Sequence, residues 1–138
     1  MGDPASSSVK PSYRRRVREA LGFKDNVGHA WRGLRAIVKE QRSFRIEIIV
    51  AVLVVILSFL LSTTRSEKAV LIATVGGVLV LEVMNSVVEK VMDLLHPEKS
   101  MSVKIIKDMS AGAVMLASIA AVVLGIIVFL PDILALFK

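Results

Sequence analysis

The chain has 138 residues, is 54% hydrophobic and carries a formal charge of +6. Its mean hydropathy of +0.67 is high for a water-soluble domain. The absence of cysteine excludes a disulfide framework, a thiolate metal site and a cysteine nucleophile.

Residues 1–22 read as a disordered, basic tail, and residues 23–138 as one membrane-embedded domain. The tail opens with the small, polar stretch MGDPASSS, a natural tail or a remnant, and carries the basic cluster Tyr13-Arg14-Arg15-Arg16-Val17-Arg18. Eleven of the eighteen Lys and Arg precede Ile46, which suits a membrane surface or a phosphate partner. No nucleic-acid-binding motif accompanies this charge, so nucleic acid is not an expected partner. From Asp25 to Gln41, Val27, Ala30, Trp31, Leu34, Ile37 and Val38 recur at helical spacing, with Arg32, Arg35 and Lys39 on the remaining surface. That pattern predicts an amphipathic helix lying in the membrane interface or packed on the rest of the protein.

Three apolar spans follow. The first, Ile46–Ser62, is interrupted only by Glu47 and Ser58 and is close to the shortest length that crosses the hydrocarbon. Thr63–Lys68 is a short polar connection. The second pattern runs from Ala69 to Leu95, where His96-Pro97 stops it. The third runs from Met109 to Leu130, ending at Pro131. Ala113, Ala117, Ala121 and Gly125 form a small-residue ridge along it, and Gly76 and Gly77 mark the second span; both features suit close helix packing. The connection Leu95–Asp108 carries Lys99, Lys104 and Lys107, so the positive-inside rule places it and the N-terminus in the cytoplasm and the C-terminus outside.

The second span carries an acidic stripe. Glu82, Asn85, Glu89 and Asp93 follow one another in steps that keep them on one helix face. With a rise of about 1.5 Å per residue counted from Lys68, Glu82 lies about 21 Å into a hydrocarbon layer about 30 Å thick. Glu89 falls near the cytoplasmic boundary and Asp93 beyond it. A carboxylate at such depth is costly, and ionisable residues there are functional candidates. The gradient suits phosphoryl transfer to a lipid hydroxyl, which needs a proton acceptor, a metal on the phosphates and positioning cations. Glu82 is the candidate general base, since its charge is poorly solvated there. Glu89 is the candidate Mg²⁺ ligand. Lys107 and Asp108 share that side of the membrane. Two other readings of the stripe are a structural contact across an oligomer interface and a proton-coupled transporter subunit.

The residues resemble a known family. Ala30-Trp31-Arg32-Gly33-Leu34-Arg35-Ala36, Phe44-Arg45-Ile46-Glu47, Glu82-Val83-Met84-Asn85-Ser86 with Glu89 and Asp93, and Lys107-Asp108-Met109-Ser110-Ala111-Gly112-Ala113-Val114 are similar to the small integral-membrane bacterial lipid kinases of the diacylglycerol kinase and undecaprenol kinase family. The resemblance covers nearly everything from Phe23 onward. It implies an all-α homotrimer of three-span subunits with an N-terminal amphipathic surface helix, in the bacterial inner membrane. It implies transfer of the ATP γ-phosphate to a lipid alcohol with Mg²⁺: diacylglycerol to phosphatidic acid, or alternatively undecaprenol to undecaprenyl phosphate.

By correspondence, Glu82 is the catalytic base and Glu89 the metal ligand of the second span. A further metal ligand is expected at Gln41, or at Glu40 after a small shift of the helix end. Nucleotide-binding positions are His29 (or simply a histidine on a helix surface), Gln41, Glu89, Glu98, Lys99, Ser100, Lys107 and Asp108. Ser43, Phe44, Arg45, Glu47, Asn85, Asp93 and Ala111 are expected to meet the lipid or support the site.

Overall fold

A computed structural model describes residues 23–98, 100–135 and 137. The predicted tail, 1–22, and Lys99 lie outside the described residues. The described chain is all-helical: α1 (Phe23–Glu40), α2 (Arg42–Leu60), α3 (Arg65–Leu95) and α4 (Met101–Ala135). α2, α3 and α4 are each long and apolar enough to cross a membrane. In lipid a helix satisfies its own backbone, which is why the Val- and Ile-rich runs are helical despite their strand propensity. Among the described residues, those up to Ala36 fall in one unit and those from Ile37 in another. The site described below lies in the second.

Each break has a local cause. α1 and α2 are separated by one extended residue, Gln41 (φ −98°, ψ 115°), whose amide still donates to the Ile37 carbonyl at 2.8 Å. α2 stops at Leu61. Just before it, the Ser58 hydroxyl donates to the Val55 carbonyl at 2.7 Å, and Thr63 donates to the Ser58 carbonyl at 2.5 Å. α3 opens on a capping box: the Glu67 amide donates to Thr64 Oγ1, and the Thr64 amide donates to the Glu67 carboxylate at 2.6 Å. It ends at His96-Pro97 as the sequence predicts, because proline disfavours helical backbone at the residue before it.

The helices outrun the apolar segments. α2 begins at Arg42, and α4 begins at Met101, well before the apolar run. α4 also continues through Pro131 to Ala135, where the sequence reading ends the span at that proline. Pro131 removes one hydrogen bond and crowds the preceding turn. Only the last turn lies beyond it, so the helix carries that loss at its end.

α3 packs against both α2 and α4. Its inner face runs from Leu71 through Val75 and Val78 to Glu82, Asn85 and Ser86, so one face is apolar along one half and polar along the other. Between the three helices lies an apolar groove of about 580 Å³, lined by Ala51 and Val54 from α2, Leu71 and Val78 from α3, and Gly125 and Phe129 from α4. A Cβ placed on Gly76, Gly77, Gly112 or Gly125 would meet nothing within 4 Å. The close packing expected at the glycines of α3 and α4 is therefore not made within one chain.

Candidate active site

The polar half of α3 faces the start of α2. Glu82 is buried, 4% exposed, and its carboxylate accepts a hydrogen bond from the Ser43 hydroxyl on the first turn of α2. One helical turn along α2 from Ser43 is Glu47, which lines the groove and lies close enough to Glu82 for the two carboxylates to repel. One turn along α3, the half-buried Glu89 accepts a hydrogen bond of 3.2 Å from the Gln41 side chain. The single-residue break between α1 and α2 is what places Gln41 there. Glu40 instead pairs with Lys90 at an exposed position. Of the two residues considered for the second metal position, Gln41 is the one brought onto Glu89.

Three buried polar atoms in this region have no hydrogen-bond partner among the described residues: Glu47 Oε2, Asn85 Oδ1 and Ser86 Oγ. Asn85 and Ser86 are 9% and 1% exposed. Each unpaired buried group costs about 1–3 kcal/mol. Three of them, one on α2 and two adjacent on α3, mark a region arranged for something other than stability.

The remaining expected residues divide. Lys107 on α4 donates to Asp93 on α3 at 2.5 Å, joining the far end of the acidic stripe to the head of α4. Phe44 is buried, whereas Arg45, Asp108, Ala111 and Glu98 are exposed. The Ser100 hydroxyl accepts from the Val103 amide at 3.2 Å and caps the start of α4. His29, on α1, hydrogen-bonds Arg32 at 2.8 Å. Sequence reasoning missed Ser86, although it lies one turn beyond Glu82 and one turn before Glu89 on the same face. It also missed the direct contact between Ser43 and Glu82, which joins positions 39 residues apart.

The donor set suits a hard cation. Glu89 offers carboxylate oxygens, and the Gln41 amide, whose nitrogen donates to one of them, carries its own oxygen on the same group, while no group of three His, Asp or Glu able to hold a metal forms among the described residues. That pairing fits Mg²⁺, which takes one or two protein oxygens and fills its remaining positions with water and substrate phosphate. To join Glu89 on such a cation, the amide of Gln41 would have to turn over and present its oxygen in place of its nitrogen.

Three apolar helices around a face that grades from apolar to acidic define a membrane protein with a polar face buried against its own helices. Residues 28–129 match the family model of prokaryotic diacylglycerol kinase. The chain is 39% identical over 136 residues to a diacylglycerol kinase of Synechocystis sp., covering 96% of this chain and 78% of that relative. It is 31% identical over 109 residues to an undecaprenol kinase of Bacillus subtilis, covering 79% and 88%. It is 33% identical over 97 residues to a diacylglycerol kinase of Escherichia coli, covering 70% and 80%. The chain belongs to the prokaryotic diacylglycerol kinase family, and it is a lipid kinase of bacterial membranes.

Proposed function

We propose that the protein transfers the γ-phosphate of ATP to the hydroxyl of diacylglycerol, giving phosphatidic acid. The observation that carries this reading is the single face of α3 on which apolar groove lining gives way to buried Glu82 and then to half-buried Glu89. A lipid hydroxyl held at the groove's polar end meets Glu82, which takes its proton as the oxygen attacks phosphorus. Glu89 with Gln41 would hold Mg²⁺, which would supply charge neutralisation on the phosphates. Lys107 leaves Asp93 to meet the nucleotide's phosphates, with Asp108, Glu98, Lys99 and Ser100 beside it. Glu47 and Asn85 offer their unpartnered oxygens to the substrates.

We also infer a homotrimer, with α1 lying in the membrane interface and the N-terminus and site cytoplasmic. Supporting this, Val27, Trp31, Leu34 and Val38 recur along one side of α1 and are exposed in the single chain, as are the outer faces of α2, α3 and α4. A second reading, undecaprenol as acceptor, is favoured by the similarity to the Bacillus subtilis kinase. The test is transfer of labelled γ-phosphate from Mg-ATP to each lipid alcohol in vesicles containing the purified protein. The expected result is labelled phosphatidic acid. Preference for undecaprenol selects the second reading, and label in neither lipid ends both.

A further inference from the structure

We propose that Ser43 is a positioning residue for Glu82: its hydroxyl fixes the rotamer in which the Glu82 carboxylate meets the lipid hydroxyl. The inference rests on the reading of Glu82 as the base. Among the described residues, Ser43 is the hydrogen-bond donor recorded for Glu82. It reaches across from α2, so the base is tied to a different helix from its own. The tie is needed because of what else surrounds the carboxylate. Glu47, four residues on and on the same face of α2, is a second carboxylate near Glu82 and lines the groove. Asn85 and Ser86, its neighbours on α3, are buried but give it no hydrogen bond.

A glutamate has three side-chain torsions, so a carboxylate without a partner on another helix is free to sample several rotamers. One donor on one oxygen stops that rotation. Ser43 engages Oε1, and no protein donor engages the other carboxylate oxygen among the described residues. The two oxygens thus have different jobs: one is held by the protein, and the other accepts the substrate's proton. A base held a fraction of an ångström out of line loses rate rather than affinity, because alignment matters in the transition state and not in substrate binding. Ser43 itself is exposed at the first turn of α2, where it contributes nothing to the buried core.

The experiment is steady-state kinetics on the full-length protein in lipid vesicles, with both substrates varied. Ser43→Ala lowers kcat about tenfold or more, with the KM values for lipid and Mg-ATP within about twofold of the parent. Ser43→Thr, which keeps the hydroxyl, restores most of that rate. In a Glu82→Asp background, Ser43→Ala has a much smaller effect, because the shortened carboxylate no longer reaches the hydroxyl. Unchanged kcat in Ser43→Ala overturns the proposal, as does a loss that Thr does not restore or one that multiplies fully with Glu82→Asp. A Glu82→Gln protein that retains full turnover removes the base assignment itself. A dead Glu82→Gln beside a fully active Ser43→Ala removes only the role of Ser43.

Discussion

Two polar clusters, at opposite ends of α3, are built on opposite terms. At the α2–α3 connection, Ser58 is fully buried and Thr63 nearly so, and each hydroxyl donates to a carbonyl. Thr64 and Glu67 close a complete capping box beside them. At the other end, Glu47, Asn85 and Ser86 each keep a buried polar atom unpartnered, next to the two neighbouring carboxylates Glu47 and Glu82. The first cluster uses its polar groups to end one helix and start the next. The second holds them against a cost of about 1–3 kcal/mol each. Burial is common to both clusters; unpartnered buried polar atoms are found only in the second of the two.

The largest expected effect comes from breaking the unsatisfied cluster at its centre. Glu82→Gln keeps the shape and removes the proton acceptor, so kcat falls by about a hundredfold or more. Mg-ATP binding, followed by equilibrium titration, stays intact, and thermal unfolding in detergent stays at or above the parent value, since one of two repelling carboxylates is gone. Loss of assembly together with loss of activity would make Glu82 a structural residue and erase the contrast. The next effect is on nucleotide. Glu89→Gln takes a charge from the position that faces Gln41, and KM for Mg-ATP rises about tenfold, as expected from one charge-assisted contact. Unchanged nucleotide affinity would remove Glu89 from the metal.

The satisfied cluster responds in the other observable. Thr64→Ala removes the side-chain half of the capping box and lowers stability by about 1 kcal/mol, with kcat and both KM values unchanged. A kinetic effect there would mean that the two ends of α3 are coupled.

What the sequence discloses follows the same division. The three apolar runs, the His96-Pro97 stop and the Glu82–Asp93 stripe are periodic or positional signals, and periodicity is local. Thr64-Arg65-Ser66-Glu67 carries the local capping-box signature too, but the sequence reading takes Thr63–Lys68 only as a short polar connection. The course of α4 through Pro131 was not legible, because its last turn overrides the residue preference for stopping there. The contacts that assemble the site join residues far apart in the chain: Ser43 with Glu82, and Gln41 with Glu89. Both depend on a one-residue break at Gln41, which composition does not announce. Spacing on α3 could place the carboxylates on one face, but it could not say which α2 side chain each would meet.

The smallest effect tests the choice between neighbouring residues at that break. Glu40 and Gln41 are adjacent, yet Gln41 turns to half-buried Glu89 while Glu40 turns to Lys90, with both members of the latter pair about half exposed. Exposed pairs contribute about 0–1 kcal/mol and are screened by salt. Glu40→Gln therefore changes unfolding by a few tenths of a kcal/mol at most and leaves the Mg²⁺ dependence of turnover where it was. Gln41→Ala, measured beside it, removes the amide that faces Glu89 and raises the Mg²⁺ concentration needed for half-maximal rate. If the two variants exchange these outcomes, α1 ends one residue earlier in the working enzyme and Glu40 takes the position beside Glu89. Adjacent in the chain, the last helical residue and the extended one after it send a carboxylate to Lys90 and an amide to Glu89.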